Sequence, residues 1–359
     1  MARPTQARLN LEALRHNVSV ARKLAPQSKL MAVVKANAYG HGAATIARVL
    51  QSTVDALAVA SIEEAVALRD VGITQPMLLL EGLFEPCELR IAAQLDLWVS
   101  IDNEQQLHWL EEAVLPAPLT CWLKIDTGMN RLGVKPADAL HYYQRLIATP
   151  NAADSAVMYT HFASADDVHN QQTRRQIAVF DELPFSTPRS AANSAAVLAW
   201  PGAHYEWVRP GYMLYGNSPM ARGHPNAETL KPVMTLTSAV IAVRDVAVGE
   251  SVGYGGTWVA QRPSVIATVT IGYGDGYPRQ ASNGAPVLIN GQRATLAGRV
   301  SMDMITVDVT DIEHVQRGSE VILWGEDLPL AEVAGWANTI GYELTTRMPQ
   351  RTPRVIVDV

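Results

Sequence analysis

The sequence predicts an α/β chain built as a TIM-like (β/α)8 barrel followed by a mostly β C-terminal domain. Three observations carry this reading. Short apolar runs alternate with helix-period segments over the first two thirds of the chain, the pattern of βα units. From about Met234 onward, apolar residues recur at a spacing of two between Gly and Pro turns, without helical patterns. Finally, 359 residues are too many for one ordinary compact domain and suit a barrel plus a second domain.

The elements follow in order. Asn10 reads as an N-cap for a helix carrying Leu11, Leu14 and Val18, which Pro26 closes. The run 30–34 (Leu-Met-Ala-Val-Val) reads as a buried strand ending at Lys35. A polar loop with Gly40 and Gly42 comes next, then a helix through Ile46 and Leu50. Residues 56–60 form the next strand, and Ser61 and Glu64 have the spacing of a capping box. Residues 77–80, 97–99, 120–125 and 156–159 supply further strands, giving six to eight units before about residue 215. A parallel sheet of that size closes as a barrel whose active site lies at the C-terminal strand ends. Lys35, Lys124, Asp126 and His161 all fall at such ends. In the second domain Ile266, Thr268 and Thr270, then Val287 and Ile289, then residues 304–309 and 321–324, read as short strands. The loop-like stretch 221–226 marks the boundary, which puts the barrel at 1–230 and the β domain at 231–359.

Composition narrows the function. The chain is 48% hydrophobic and 18% charged, with a formal charge of −6 and no basic run. Nucleic acid and anionic membrane are therefore poor partners, and a small molecule is expected. Cys87 and Cys121 have no metal-ligand or disulfide spacing, so no metal is expected. Residues 1–8 lack an apolar secretory core, and no apolar stretch approaches the ~18 residues of a membrane span. A cytoplasmic location is the expectation.

Lys35 is the centre of the chemistry. Burial at a barrel mouth lowers an ammonium's pKa, and such an amine serves as a Schiff-base nucleophile or a general base. The run Val33-Val34-Lys35-Ala36-Asn37-Ala38-Tyr39-Gly40-His41-Gly42 closely resembles the cofactor-lysine motif of the alanine racemases. Further matches follow in order along essentially the whole chain. They are Lys124-Ile125-Asp126-Thr127-Gly128-Met129-Asn130-Arg131-Leu132-Gly133, Asn193-Ser194-Ala195-Ala196, Arg209-Pro210-Gly211, Val252-Gly253-Tyr254-Gly255 and Gly298-Arg299-Val300-Ser301-Met302-Asp303-Met304.

The resemblance implies an isomerase that interconverts L- and D-alanine on pyridoxal 5'-phosphate, within bacterial cell-wall metabolism. Lys35 would hold the cofactor as a Schiff base and act as one of two proton-transferring bases, with Tyr254 as the other. His161 and Arg209 would relay protons to Tyr254, and Arg209 would leave the pyridine nitrogen unprotonated. Tyr39, Ser194, Tyr342 and the backbone near Gly211 and Tyr212 would bind the phosphate. Arg131 would reach both cofactor and substrate, with Lys124 a possible carbamate that fixes it. Met302, Tyr273 and Asp303 would line the substrate pocket. In the family the β domain completes the site of the other subunit, so a homodimer with shared sites is implied. Two departures, Gly274 where alanine is more usual and Gly341 before Tyr342, bear on substrate range. The competing readings are a pyridoxal-dependent decarboxylase, a serine or broad-range racemase, a non-catalytic pyridoxal-phosphate carrier, and a barrel without cofactor. Arg209 and the Tyr254 motif speak against the first, and the β domain against the carrier.

Overall fold

A computed structural model describes residues 3–357. Met1 and Ala2, part of the stretch read for a secretory core, lie outside the described residues, as do Asp358 and Val359. Contacts divide the chain into two compact units. One holds Arg15–Ala38 and Gly42–Leu230; the other holds the N-terminal segment through Leu14, Tyr39–His41 and the chain from Lys231 onward.

Among the described residues eighteen strands appear in chain order. After β1 (Gln6–Asn10) come β2 (Lys29–Val33), β3 (Ala56–Val59), β4 (Met77–Leu79), β5 (Leu97–Ile101), β6 (Cys121–Lys124), β7 (Val157–Tyr159), β8 (Arg189–Ser190) and β9 (Trp207–Val208). The second series is β10 (Met234–Val246), β11 (Ser251–Val252), β12 (Trp258–Val259), β13 (Ser264–Val269), β14 (Pro286–Ile289), β15 (Gln292–Leu296), β16 (Ile305–Asp308), β17 (Glu320–Trp324) and β18 (Arg354–Val357).

β2 to β9 form the closed parallel barrel that the alternating pattern predicts. Side-chain alternation sorts its interior into layers. Trp98, Trp122 and Trp207 fill one level, their rings 5.6 to 6.0 Å apart. Two residues further along, Ser100 bonds the Tyr159 hydroxyl at 2.5 Å. The strand-end polar residues stand beyond this plug, which closes the barrel beneath them.

The other unit holds an eight-stranded sheet in the order β13-β16-β15-β14-β17-β10-β1-β18. Ala7, Leu9, Leu236, Val269, Val307 and Trp324 lie in its core. β1 is absent from the sequence reading. Its five residues alternate in burial and pair antiparallel with β10 and parallel with β18, partners more than 220 positions away. Two short helices, Leu330–Trp336 and Gly341–Thr346, also interrupt a region expected to be strands alone. Seven and six residues are too few for a helical period to show. The capping box at Ser61 does not form. The Ser61 hydroxyl donates to Glu63 at 2.5 Å, while the Glu64 carboxylate accepts the Ala60 and Ala36 N–H groups. Among the described residues no helix is long and apolar enough to cross a membrane.

Candidate active site at the barrel mouth

Lys35 begins an unusual turn. Ala36, Asn37, Ala38 and Tyr39 all adopt left-handed backbone angles, with φ of 51°, 55°, 54° and 51°. Each such non-glycine residue costs roughly 1–2 kcal/mol, so the turn needs outside support. Glu64 Oε1 accepts the Ala36 N–H at 2.7 Å, and Asn37 Oδ1 accepts the Ala43 N–H at 2.8 Å. The Ala38 N–H returns to Val34 O at 2.8 Å and the Gly42 N–H to Asn37 O at 2.9 Å. The strand β2 ends at Val33, and the turn fixes the backbone from which Lys35 departs.

The Lys124–Gly133 motif is a closed loop on the end of β6. Val134 N–H bonds Lys124 O and Asp126 N–H bonds Val134 O, both at 2.9 Å. Gly133 has φ +119°, and a Cβ there would lie 2.8 Å from Asp126 N. Asp126, read as a strand-end polar residue, is the loop's brace: it accepts the Gly128 and Asn130 N–H groups and pairs with Lys135 at 2.6 Å. Burial alone would raise its pKa, but Lys135 and the two N–H groups outweigh it and hold the carboxyl low. The loop presents Arg131, and one cavity is lined by Lys124, Arg131, Thr160 and His161 together.

Arg209, 4% exposed, donates to Ser190 Oγ at 2.5 Å, Thr160 O at 2.6 Å and Ala191 O at 3.4 Å. Its guanidinium lies 5.1 Å from the Tyr159 ring centre. Burial brings its pKa down to about 10, which leaves it cationic at neutral pH, and no carboxylate among the described residues pairs with it. Its hydrogen bonds do not include His161. Burial, then Arg209, Arg131, Lys124 and Lys35, push His161 down to about 3, so its imidazole is neutral. Lys124 itself is lowered to about 8, chiefly by burial. Asn193 caps the helix Ser194–Ala199 by accepting the Ala196 N–H. Ser194 Oγ accepts the Gly211 N–H at 2.9 Å and the Met213 N–H at 3.3 Å. The Gly211 N–H is thus committed to the serine, whose own hydroxyl is the remaining donor. Tyr212 is buried in the turn that follows.

The other predicted residues belong to the sheet unit. The Tyr39 and Tyr342 rings lie 6.1 Å apart, and burial pushes the Tyr39 phenol up to about 12. Gly40 is wedged there, since a Cβ would fall 1.8 Å from Thr345 O. Tyr254, Tyr273 and Met302 are 69%, 42% and 53% exposed. They share one spine, the segment 298–304. The turn holding Tyr254 packs on Arg299, while the Tyr273 and Gly274 N–H groups bond Ser301 O and Met302 O. Asp303 pairs with Arg351 at 2.6 Å, and Arg351 also reaches the buried Asp275 at 2.9 Å.

Comparison with known proteins agrees with this arrangement. The profile of the alanine racemase N-terminal domain matches residues 9–219, and that of the C-terminal domain matches residues 233–356. The chain belongs to the alanine racemase family. The alanine racemase of Stutzerimonas stutzeri is 50% identical over 98% of this chain and 99% of its own length. That of Pseudoalteromonas atlantica is 48% identical with both chains covered completely. The crystal structure of the biosynthetic alanine racemase from Pseudomonas aeruginosa superposes with a TM-score of 0.95. It is 46% identical, covering 99% of this chain and 100% of the other.

Within the alanine racemase frame, four residues missed in the sequence contribute to these groups. Tyr159 lies under both Lys124 and Arg209, and Ser190 holds the arginine. Arg299 packs against the Tyr254 turn, and the buried Asp102 follows β5, whose Ile101 pairs with the Leu123 that precedes Lys124. Ending the β5 strand at Val99 left Asp102 out; continuing its alternation through Ser100 finds it.

Proposed function

We propose that this chain racemises alanine with pyridoxal phosphate, as a homodimer, and so exchanges L- and D-alanine for cell-wall metabolism. The observation that carries the reading is a strand-end lysine sharing a barrel mouth with a buried arginine that no carboxylate accompanies. The donor set suits an anionic cofactor. Ser194 offers a hydroxyl, and Lys35, Lys124, Arg131 and Arg209 make the mouth cationic enough to hold a phosphate and a substrate carboxylate. Lys35, Tyr39, Ser194, Tyr212 and Tyr342 are the residues that would hold it, the Ser194 hydroxyl standing in for the Gly211 N–H that it accepts. When bound, the cofactor supplies an electron sink that acidifies the Cα–H of an attached amino acid. Lys35 moves that proton on one face, and the Tyr254 phenol moves it on the other. Arg209 keeps its protons, so it lends none to the pyridine nitrogen. A neutral His161 acts as a hydrogen-bond partner rather than as a further cation beside Arg209, Arg131, Lys124 and Lys35. Arg131 orients the substrate carboxylate, and a carbamate on Lys124 would supply the negative charge that fixes Arg131. Tyr273, Met302 and Asp303 bound the substrate pocket from the sheet unit of the partner subunit.

Purified protein given pyridoxal phosphate and L-alanine in deuterated water should release D-alanine carrying deuterium at Cα. Consumption of alanine with evolution of carbon dioxide, or no D-alanine at all, would replace this reading by a decarboxylase or a carrier.

A further inference from the structure

The segment Gly272-Tyr273-Gly274-Asp275-Gly276 places three glycines in five residues, for different reasons. A Cβ on Gly272 would lie 2.3 Å from Ser301 O, and Gly276 has φ +101°, so the backbone dictates both. Gly274 sits in the short helical turn Tyr273–Asp275 without a positive φ, and its backbone accepts an alanine. What fills the place of its side chain is Arg351. A Cβ there would lie 2.7 Å from Arg351 Nη1, 3.1 Å from Met302 O and 3.3 Å from Met302 Cγ. The same guanidinium reaches Asp275 through Nε at 2.9 Å and Asp303 through Nη2 at 2.6 Å. It therefore straps the Tyr273 turn to the segment 298–304, alongside the bonds from the Tyr273 and Gly274 N–H groups to Ser301 O and Met302 O. Asp275 is fully buried and is also held by Arg3 Nη2 at 2.7 Å, so it keeps a cationic partner if Arg351 moves.

We propose that Gly274 is a specificity-determining position that acts through Arg351: by lacking a methyl group it seats the guanidinium, and the seated guanidinium holds Asp303 and Met302 against the Tyr273 turn. A methyl added there displaces whichever neighbour can yield. The Met302 carbonyl is backbone and already accepts the Gly274 N–H, whereas Nη1 is the far end of a flexible, half-exposed side chain. An alanine therefore moves the guanidinium out, and the arginine no longer meets both carboxylates with its planar set of donors. The Asp303 carboxylate loses its ion pair. The unbranched Met302 side chain, 53% exposed and pressed at Cγ by the new methyl, takes another rotamer. On the racemase reading, on which this step rests, Tyr273, Met302 and Asp303 bound the substrate pocket, so the strap sets how closely that wall fits a methyl side chain. A fitted wall discriminates against one extra methylene or hydroxyl by roughly 10–200-fold. A loosened wall keeps only part of that, and serine, which carries one oxygen more than alanine, is the substrate that reports it.

The test compares the full chain, loaded with pyridoxal phosphate, with Gly274→Ala, Arg351→Gln and the double variant. Amide hydrogen exchange at residues 272–276 and 298–304, read by mass spectrometry, should quicken by about tenfold in each single variant, as the loss of one charge-assisted bond allows. The double variant should exchange no faster than Arg351→Gln, because the methyl has no guanidinium left to displace. With L-alanine and L-serine in deuterated water, each single variant should lower the alanine-to-serine ratio of kcat/KM by about fivefold, through a raised KM for alanine more than a lowered kcat. Arg351→Lys keeps the charge without the reach to two carboxylates; it should match Arg351→Gln and replaces it if the glutamine variant folds poorly. Unchanged exchange and an unchanged ratio in Gly274→Ala, or an effect of the alanine that persists in full beside Arg351→Gln, would overturn the proposal. The exchange measurement needs no substrate and decides the strap by itself, whereas failure of the racemase reading shows separately, as no deuterated D-alanine from the unchanged protein.

Discussion

His161 is held neutral by its surroundings, and this has a thermodynamic consequence that turnover does not report. Burial and four nearby cations place its folded pKa at about 3, below the ordinary value of about 6.5. Between those two values the unfolded chain binds a proton that the folded chain refuses. Stability contributed by this site is therefore complete above pH 6.5 and declines as pH falls toward 3. His161→Gln removes the titration. Its loss of stability between pH 7 and pH 5 should be smaller than that of the unchanged protein, by at most ~2 kcal/mol. Urea unfolding midpoints at the two pH values measure the difference. Equal losses in both proteins would mean that His161 accepts its proton in the folded state. Arg209 and Lys124 share the same cause, desolvation at a strand end, yet to different effect. The guanidinium remains charged at about 10, whereas the amine at about 8 lies within reach of neutrality.

At the level of elements, the left-handed turn after Lys35 is where local preference and tertiary structure conflict. Ala36 is exposed, has φ 51°, and makes its useful bond through the backbone N–H. A glycine there keeps that bond and relieves the left-handed strain, partly offset by the greater entropy of its unfolded state. Ala36→Gly should accordingly stabilise the fold by about 1 kcal/mol, and Ala36→Val should destabilise it by more than that. Thermal melts of the two variants check the sign, and a glycine variant that melts earlier would show that the turn is not strained. This turn was not legible in the sequence, because alanine and tyrosine do not favour left-handed angles and the Glu64 carboxylate that accepts the Ala36 N–H lies 28 residues away. Lys35, Lys124 and His161 were legible, since each ends or follows an apolar run that only a buried parallel strand explains. Ser190 lies in one strand of two residues and Arg209 follows another, both too short to carry a pattern, and the arginine emerged from motif resemblance alone. Asp102 was hidden because Ser100 breaks its apolar run with a hydroxyl whose partner, Tyr159, is 59 residues away.

For the whole molecule, the two proposed bases belong to different compact units, Lys35 with the barrel and Tyr254 with the sheet. The sheet unit leaves Tyr254, Tyr273, Met302 and Met304 exposed along one spine. A two-fold dimer in which each sheet unit completes the partner's barrel would cover these residues and bring one Lys35 and one Tyr254 to each site. Such an arrangement is distinguishable from a site made within one subunit. Lys35→Ala and Tyr254→Phe variants, each inactive alone, are unfolded together and refolded as a mixture. With shared sites, half of the dimers are mixed, and each mixed dimer contains one site with neither substitution. About a quarter of the unmodified activity should return. If each subunit forms its own site, every site carries one substitution and no activity returns. The mixture thus separates the two arrangements by the presence or absence of turnover, with size-exclusion chromatography confirming that the dimers have formed.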